Sequence, residues 1–541
     1  MAKVSLWAIA LVVGCGLVSV TAFARPEAHR GGTLRIGFSA IDSLDSGVAY
    51  TTPSWMIQRA TCSKLFDYPD ASGAAGTRLV PEVVDRYAVS SNGRTYTFDL
   101  KRTFRFSSGE RVTARSFADA FNREANPAMP SNAVPYLHEI VGADAVIGGT
   151  ARSISGVRVL APFRLQISLT RRVADFPAEL TIPLFCPVPS GTPDAPGGVD
   201  DPPGSGPYYV AGQIPNRQIV LKRNPYYRGN RPANPDQIVW TLGETRDACL
   251  ADVEQNRLDY CAPPGFPASA ARDLAGRYGV NKKGGRFHVA PGIETNFFVF
   301  NHDRPAFHGA GQIPLEKAIN YAIDRRYLAN VAFGYEAGKR TDQLLPPALG
   351  KAASIYPIAG AEPAIARKWL ARAKFKPASL VLYASSSPSG VASAQTFAFD
   401  LKQIGIDVAI SYFDIGTVQD KATMRDAPVD VAMGTWAPDY ADPAGFFGPL
   451  LDGRNVPKKS GRTNLTHLND PALNARIDAA EELTGAARRR AWADLDVDLM
   501  RTDPPWAPYI NFNARVFVSQ DLSCVVIHPL YDLDLAAACK K

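Results

Sequence analysis

The feature that most constrains this chain is a repeated switch of hydrophobic period in its second half. Pro314 can be accepted in the first turn of a helix, and Leu315, Ala318, Ile319, Ala322 and Ile323 follow as a stripe spaced i, i+3, i+4, i+7, i+8. Leu380–Tyr383 then reads as a strand, and Ala394–Ile404 as a helix stopped by Gly405. Ile406, Val408 and Ile410 alternate along another strand, and Asp430–Trp436 adds a third. Strands separated by helices cannot pair as hairpins, so residues from about 290 to 500 are expected to form an α/β unit on a parallel sheet. Arg488–Met500 supplies its closing helix.

The first half follows different rules. Thr33–Phe38 alternates apolar and polar residues as a half-buried strand. Tyr96, Phe98 and Leu100 alternate behind the turn dipeptide Asn92-Gly93, Phe104 and Phe106 extend that period, and Val157–Leu169 repeats it, so antiparallel hairpins are expected. Between them Thr113 stands as N-cap of a helix to Arg123 with Phe117, Ala120 and Phe121 on one face. Residues 187–207, dense in Pro, Gly and Asp, mark a loop or a crossing between subdomains near 195. Beyond it, Tyr208–Arg223 and Gln237–Leu242 read as strands, and Asp247–Arg257 as a helix.

At 541 residues the chain exceeds one compact domain, and its 46% hydrophobic and 21% charged residues describe a folded globular protein. The formal charge of +7 is not gathered into any Lys/Arg block, so no nucleic-acid footprint is present. Lys3, the apolar run Val4–Val20 and Ala22-Phe23-Ala24 read as a secretory leader, with the mature chain starting near Arg25. Val12-Val13-Gly14-Cys15 offers the rival parse of a lipid-anchored Cys15. No later stretch supplies the roughly 20 uncharged apolar residues that span a bilayer. Beyond Cys15 six cysteines remain, and export to an oxidising compartment makes pairing plausible: Cys249 with Cys261 and Cys524 with Cys539 would close short loops, and Cys62 with Cys186 a long excursion. Sequence leaves the connectivity open, with buried free thiols as the alternative. There is no Cys-x-x-Cys, and the seven histidines are scattered, so neither a metal site nor a cofactor is indicated. Gly-x-Ser-x-Gly, His-Glu-x-x-His and P-loop motifs are absent, which weighs against an exported hydrolase without excluding one.

Several short motifs occur in a characteristic order. They are Gly32–Phe38 with Leu44-Asp45, Leu79-Val80-Pro81-Glu82, Tyr96–Lys101, and Phe106-Ser107-Ser108-Gly109. Gly204-Ser205-Gly206-Pro207-Tyr208 and Arg223-Asn224-Pro225-Tyr226-Tyr227 follow, then Thr295–Asn301, Ala318–Arg325 and Gly405–Val408. In this order the chain resembles the bacterial extracellular solute-binding proteins of family 5, the oligopeptide, dipeptide and nickel type.

The resemblance implies a non-enzymatic, monomeric receptor with the two-lobed periplasmic-binding-protein fold (class II type). Residues 1–24 would be the leader. Lobe one would take 25–290, with a subdomain inserted at about 60–195, lobe two 291–504, and 505–541 would return to lobe one. On that layout Cys62 and Cys186 bracket the insertion. The receptor would close around a peptide-like solute and present it to ABC permease subunits in the inner membrane. Nickel chelates, haem, opines and oligosaccharides are alternative guests within the same role, and a sensing partner of a membrane signalling protein would use the same fold.

In the peptide-binding relatives an Asp in a Trp-x-x-Asp motif after a lobe-two strand grips the ligand's α-amino group. Trp436-Ala437-Pro438-Asp439-Tyr440 matches that motif. Asp439 is thus the candidate amine anchor, with Trp436 and Tyr440 as cleft walls. Capping of the Ala441-Asp442-Pro443 turn is its competing role. Tyr50, Trp55 and Asn296 fall in segments that edge the cleft in relatives, and core packing is the alternative for each. Where the pattern has an Arg before the lobe-two helix this chain has Lys317, and no Arg can be assigned to a ligand carboxylate.

Overall fold

The computed structural model describes residues 30–263, 265–457 and 463–541. The expected leader, its Ala22-Phe23-Ala24 site and Cys15 lie outside the described residues. Three principal sheets carry the fold.

In the first, Thr33–Phe38 buries Leu34 and Ile36 completely and runs parallel to Gln237–Leu242 on one side and Tyr260–Cys261 on the other. Gln218–Arg223 and Tyr208–Ile214 complete it antiparallel. Its core joins Ile219, Leu221, Ile238 and Trp240 to Val518, Leu522, Leu533 and Leu535, so the last residues of the chain are woven into the lobe that the first residues open.

The inserted subdomain is built on an antiparallel sheet of Val84–Val89, Thr95–Leu100, Arg164–Ser168 and Val157–Ala161, with the helix Ala114–Ala125 packed on it. Tyr96, Phe98 and Leu100 point into its core while Thr95, Thr97 and Asp99 face outward, the period of two that a one-sided sheet imposes. Gly93 takes the left-handed conformation (φ +71°) that the Asn92-Gly93 turn requires. Phe104 and Phe106 do not prolong the hairpin. Both rings are buried, but the chain doubles back, with Phe106 N–H bonded to Glu110 O and Val112 N–H to Phe104 O. Their spacing therefore reports a shared core, reached through a tight turn.

The second lobe holds a six-stranded sheet in the order Gly338–Arg340, Trp506–Phe517, Phe287–Phe300, Val431–Trp436, Ser379–Ser385, Asp407–Phe413. Ser379–Ser385 runs parallel to Asp407–Phe413 through the crossover helix Pro388–Lys402, and parallel also to Val431–Trp436. The sheet as a whole is mixed, which corrects the expectation of a parallel one. Phe287–Phe300 pairs antiparallel with both Val431–Trp436 and Trp506–Phe517. The helix–strand alternation governs only 379–436, and the two long strands enter from outside that unit. The Pro314 helix runs Ile313–Ala322 and buries Leu315, Ala318, Ile319 and Ala322, as its stripe requires.

Those two long strands carry the chain between the lobes. Their pairing extends from Phe287 opposite Phe517 to Val299 opposite Trp506, with interruptions between Pro291 and Thr295 and between Asn296 and Phe297. Phe287 and Phe517 pack beside Cys249 and Cys261, whereas Phe297 and Trp506 belong to the second lobe's core. After residue 505 the chain therefore still contributes to the second sheet before Val516 and Val518 join the first lobe's core. Disulfides join Cys62 to Cys186, Cys249 to Cys261 and Cys524 to Cys539.

Candidate ligand-binding cleft

Val431–Trp436 ends in Ala437-Pro438-Asp439-Tyr440, and this turn projects from lobe two onto the first lobe. The hydroxyls of Tyr50 and Tyr136 both donate to Asp439 Oδ2, at 2.7 and 2.5 Å. Oδ1 has no partner among the described residues, and no Lys, Arg or His there pairs with the carboxylate. Burial raises the Asp439 pKa, and the two hydroxyls oppose the rise by stabilising the anion. The competing capping role falls to Asp442, whose Oδ1 accepts from Ala444 N–H at 3.0 Å.

Tyr440 is 5% exposed and buried in the inserted subdomain's core, where its hydroxyl donates to Asp175 at 2.7 Å. Asp175 also meets Arg488 of lobe two at 3.3 Å, Arg488 binds Asp442 at 2.9 Å, and Arg171 bridges Glu139 of the insertion to Glu481 of lobe two. Ala441 N–H donates to Tyr68. Together these contacts hold the lobes in a closed arrangement.

Trp436 is half-buried and spends its indole N–H on Gly445 O, at 2.7 Å, within its own lobe. Trp55 lies in the insertion's core, its N–H on Ala49 O, and meets the exposed Tyr50 ring edge-on at 5.4 Å. Asn296 is buried, with Oδ1 unpartnered among the described residues. It shares the strand face of Phe298 and Phe300, which line the second lobe's core. Lys317 stands within its helix, its ammonium 5.0 Å from the Trp369 ring centre.

A cavity of about 320 Å3 lies between the lobes, bordered by Thr52, Tyr260, Phe266 and His528 on one side and by Glu294, Ala437, Pro438 and Phe512 on the other. Its floor is the crossing strand pair, at Gly292–Glu294 and Phe512–Arg515. The charged groups here are engaged unequally. Glu294 accepts from Thr435, and burial raises its pKa. Asp532 accepts from the Tyr260 hydroxyl at 2.6 Å and is pushed by burial up to about 6. Arg515 donates through Nη1 to Phe333 O and Tyr335 O, each at 3.1 Å. Tyr136, which meets Asp439, carried no motif, so sequence reasoning missed it.

The match to known proteins includes the Val431–Trp436 strand and the Asp439 turn that follows it. The model of bacterial extracellular solute-binding proteins, family 5, matches residues 78–458. The periplasmic oligopeptide-binding protein OppA of Escherichia coli (strain K12) is 23% identical over 452 residues, covering 79% of this chain and 78% of that protein. The probable ABC transporter periplasmic-binding protein SapA of the same organism is 24% identical, covering 97% of this chain and 96% of its own. Among solved structures, clavulanic acid biosynthesis oligopeptide binding protein 2 superposes with a TM-score of 0.86 at 25% identity, covering 95% of this chain and 96% of its own. A two-lobed architecture with a cavity between the lobes and a family match spanning both of them lead to one conclusion: this chain belongs to the bacterial extracellular solute-binding proteins, family 5.

Proposed function

We propose that this protein is the periplasmic receptor of an ABC importer, and that it captures a peptide or peptide-like solute through the solute's free amino group by closing two lobes around it. Lobe one takes residues 25–290 with its insertion at about 60–195, lobe two takes 291–504, and the C-terminal segment ties the two together. The observation that carries this reading is Asp439. A carboxylate enclosed between two lobes, given two hydroxyl donors and, among the described residues, no cation, lacks a counter-charge that an ammonium group would supply. The OppA and SapA relatives, by their names, serve peptide binding and ABC transport.

Calorimetry of di-, tri- and tetra-alanine against the purified protein tests the assignment. Asp439→Asn keeps the shape and removes the charge, and is expected to weaken binding at least about tenfold, the scale of one charge-assisted hydrogen bond. Unchanged affinity removes Asp439 from the anchor role.

A further inference from the structure

The seam where the inserted subdomain meets lobe two joins more acid than base. Arg171 is shared by Glu139 of the insertion and Glu481 of lobe two, and Arg488 by Asp175 of the insertion, at 3.3 Å, and Asp442 of lobe two, at 2.9 Å. Each guanidinium thus answers two carboxylates, one from either side, and a fifth acid is left over. Glu179, at the end of the short helix Phe176–Glu179, is 5% exposed and forms no ion pair among the described residues. Its Oε2 and that of Glu139 have no hydrogen-bond partner there. Glu179 is faced by Glu139, Asp175 and Glu481, by Arg171, and by the phenols of Tyr96, Tyr136 and Tyr440, with Asp439 beyond Tyr136. Arg454 also acts on Glu481 but is itself paired with Asp452 and Asp478.

With every group ionised, five carboxylates and two guanidinium groups leave three negative charges in a largely buried seam. Acids enclosed together cannot all stay charged. No group of His, Cys, Asp or Glu among the described residues could hold a metal ion, and the proton is the ligand that relieves this crowding. When the lobes part, the same acids return to water. We infer that closure of this protein is proton-linked: the seam takes up protons as the lobes meet and gives them back as they separate. Burial, reinforced by acidic neighbours, pushes Glu139 up to about 7 and raises Glu179, Glu481 and Asp442. Groups with a higher pKa in the closed form bind more protons there, so closure is favoured as pH falls and loses that support as pH rises through about 7.

X-ray scattering of the guest-free protein between about pH 5.5 and 8.5 tests this without reference to any guest. The radius of gyration of the wild type should rise with pH across neutrality. Glu179→Gln keeps the shape and removes the surplus charge, so at the alkaline end it should be more closed than wild type and its profile flatter. A wild-type radius that does not change with pH, or a variant that follows the wild-type profile, overturns the inference. Calorimetry of tri-alanine in two buffers of unlike ionisation enthalpy counts the protons directly, at about pH 6.5, where the peptide's own amine is already charged. Proton uptake is expected in the wild type and less in Glu179→Gln, and equal uptake in the two counts against the seam. If tri-alanine does not bind, the peptide reading falls and scattering alone decides the proton linkage. A melting temperature identifies loss of folding in the variant, and the wild-type profile stands in either case.

Discussion

Asp439 illustrates how one side chain can be legible in sequence while its setting is not. The Trp-x-x-Asp pattern is local and follows a strand, so it could be found by reading along the chain. Its donors lie 389 and 303 residues away: Tyr50 was placed at the cleft edge only through the resemblance, and Tyr136, which belongs to no recognisable motif, was not found. The raised pKa of Asp439 gives a testable pH profile. The group loses its charge at a higher pH than an ordinary aspartate, and the neutral acid no longer offers a counter-charge to an ammonium group. Affinity for an amine-bearing peptide should therefore begin to fall, as pH is lowered, above the ordinary value of 3.8, and the profile should flatten in Asp439→Asn. Calorimetry between neutral pH and the onset of acid unfolding measures it, and a wild-type profile as flat as the variant's contradicts the assignment.

At the level of elements, most of the framework was legible because one-sided burial writes its period into the sequence. Thr95–Leu100, Ile313–Ala322 and Val431–Trp436 fall where their apolar residues place them. Strand direction was less accessible, because period reports which face is buried and says nothing about polarity; hence the mixed second sheet. The fate of Phe104 and Phe106 has a similar cause: two rings separated by one residue share a core whether the chain runs on or turns. The disulfides act at this scale too. Cys62–Cys186 closes a separation of 124 residues and Cys249–Cys261 one of 12. On the chain-entropy account, replacing both cysteines of the first pair by Ser should cost about 5 kcal/mol, against about 3 kcal/mol for the second. Denaturant unfolding of the two double variants checks the order, and equal costs would mean that strain or residual structure in the unfolded chain dominates.

For the molecule as a whole, the contacts of Asp175 with Arg488 and Tyr440 link the insertion to lobe two and exist only while the lobes are together. Asp175→Asn should shift the unliganded protein toward an open form, raising its radius of gyration in X-ray scattering and weakening peptide binding by the fraction of closed form lost. Scattering identical to wild type would show that this clasp does not set the balance. The strand pair beneath the cavity has a mechanical consequence. Two long ribbons resist bending wherever their rungs are intact, and compliance concentrates where rungs are missing, between Pro291 and Thr295. Gly292, Ile293 and Glu294 in that gap border the cavity, so a guest seated there acts as a splint across the softest point of the molecule. Amide hydrogen exchange at residues 292–294 should slow on ligand addition more than at either end of the same ribbons, registering occupancy as stiffness at the place where the molecule flexes.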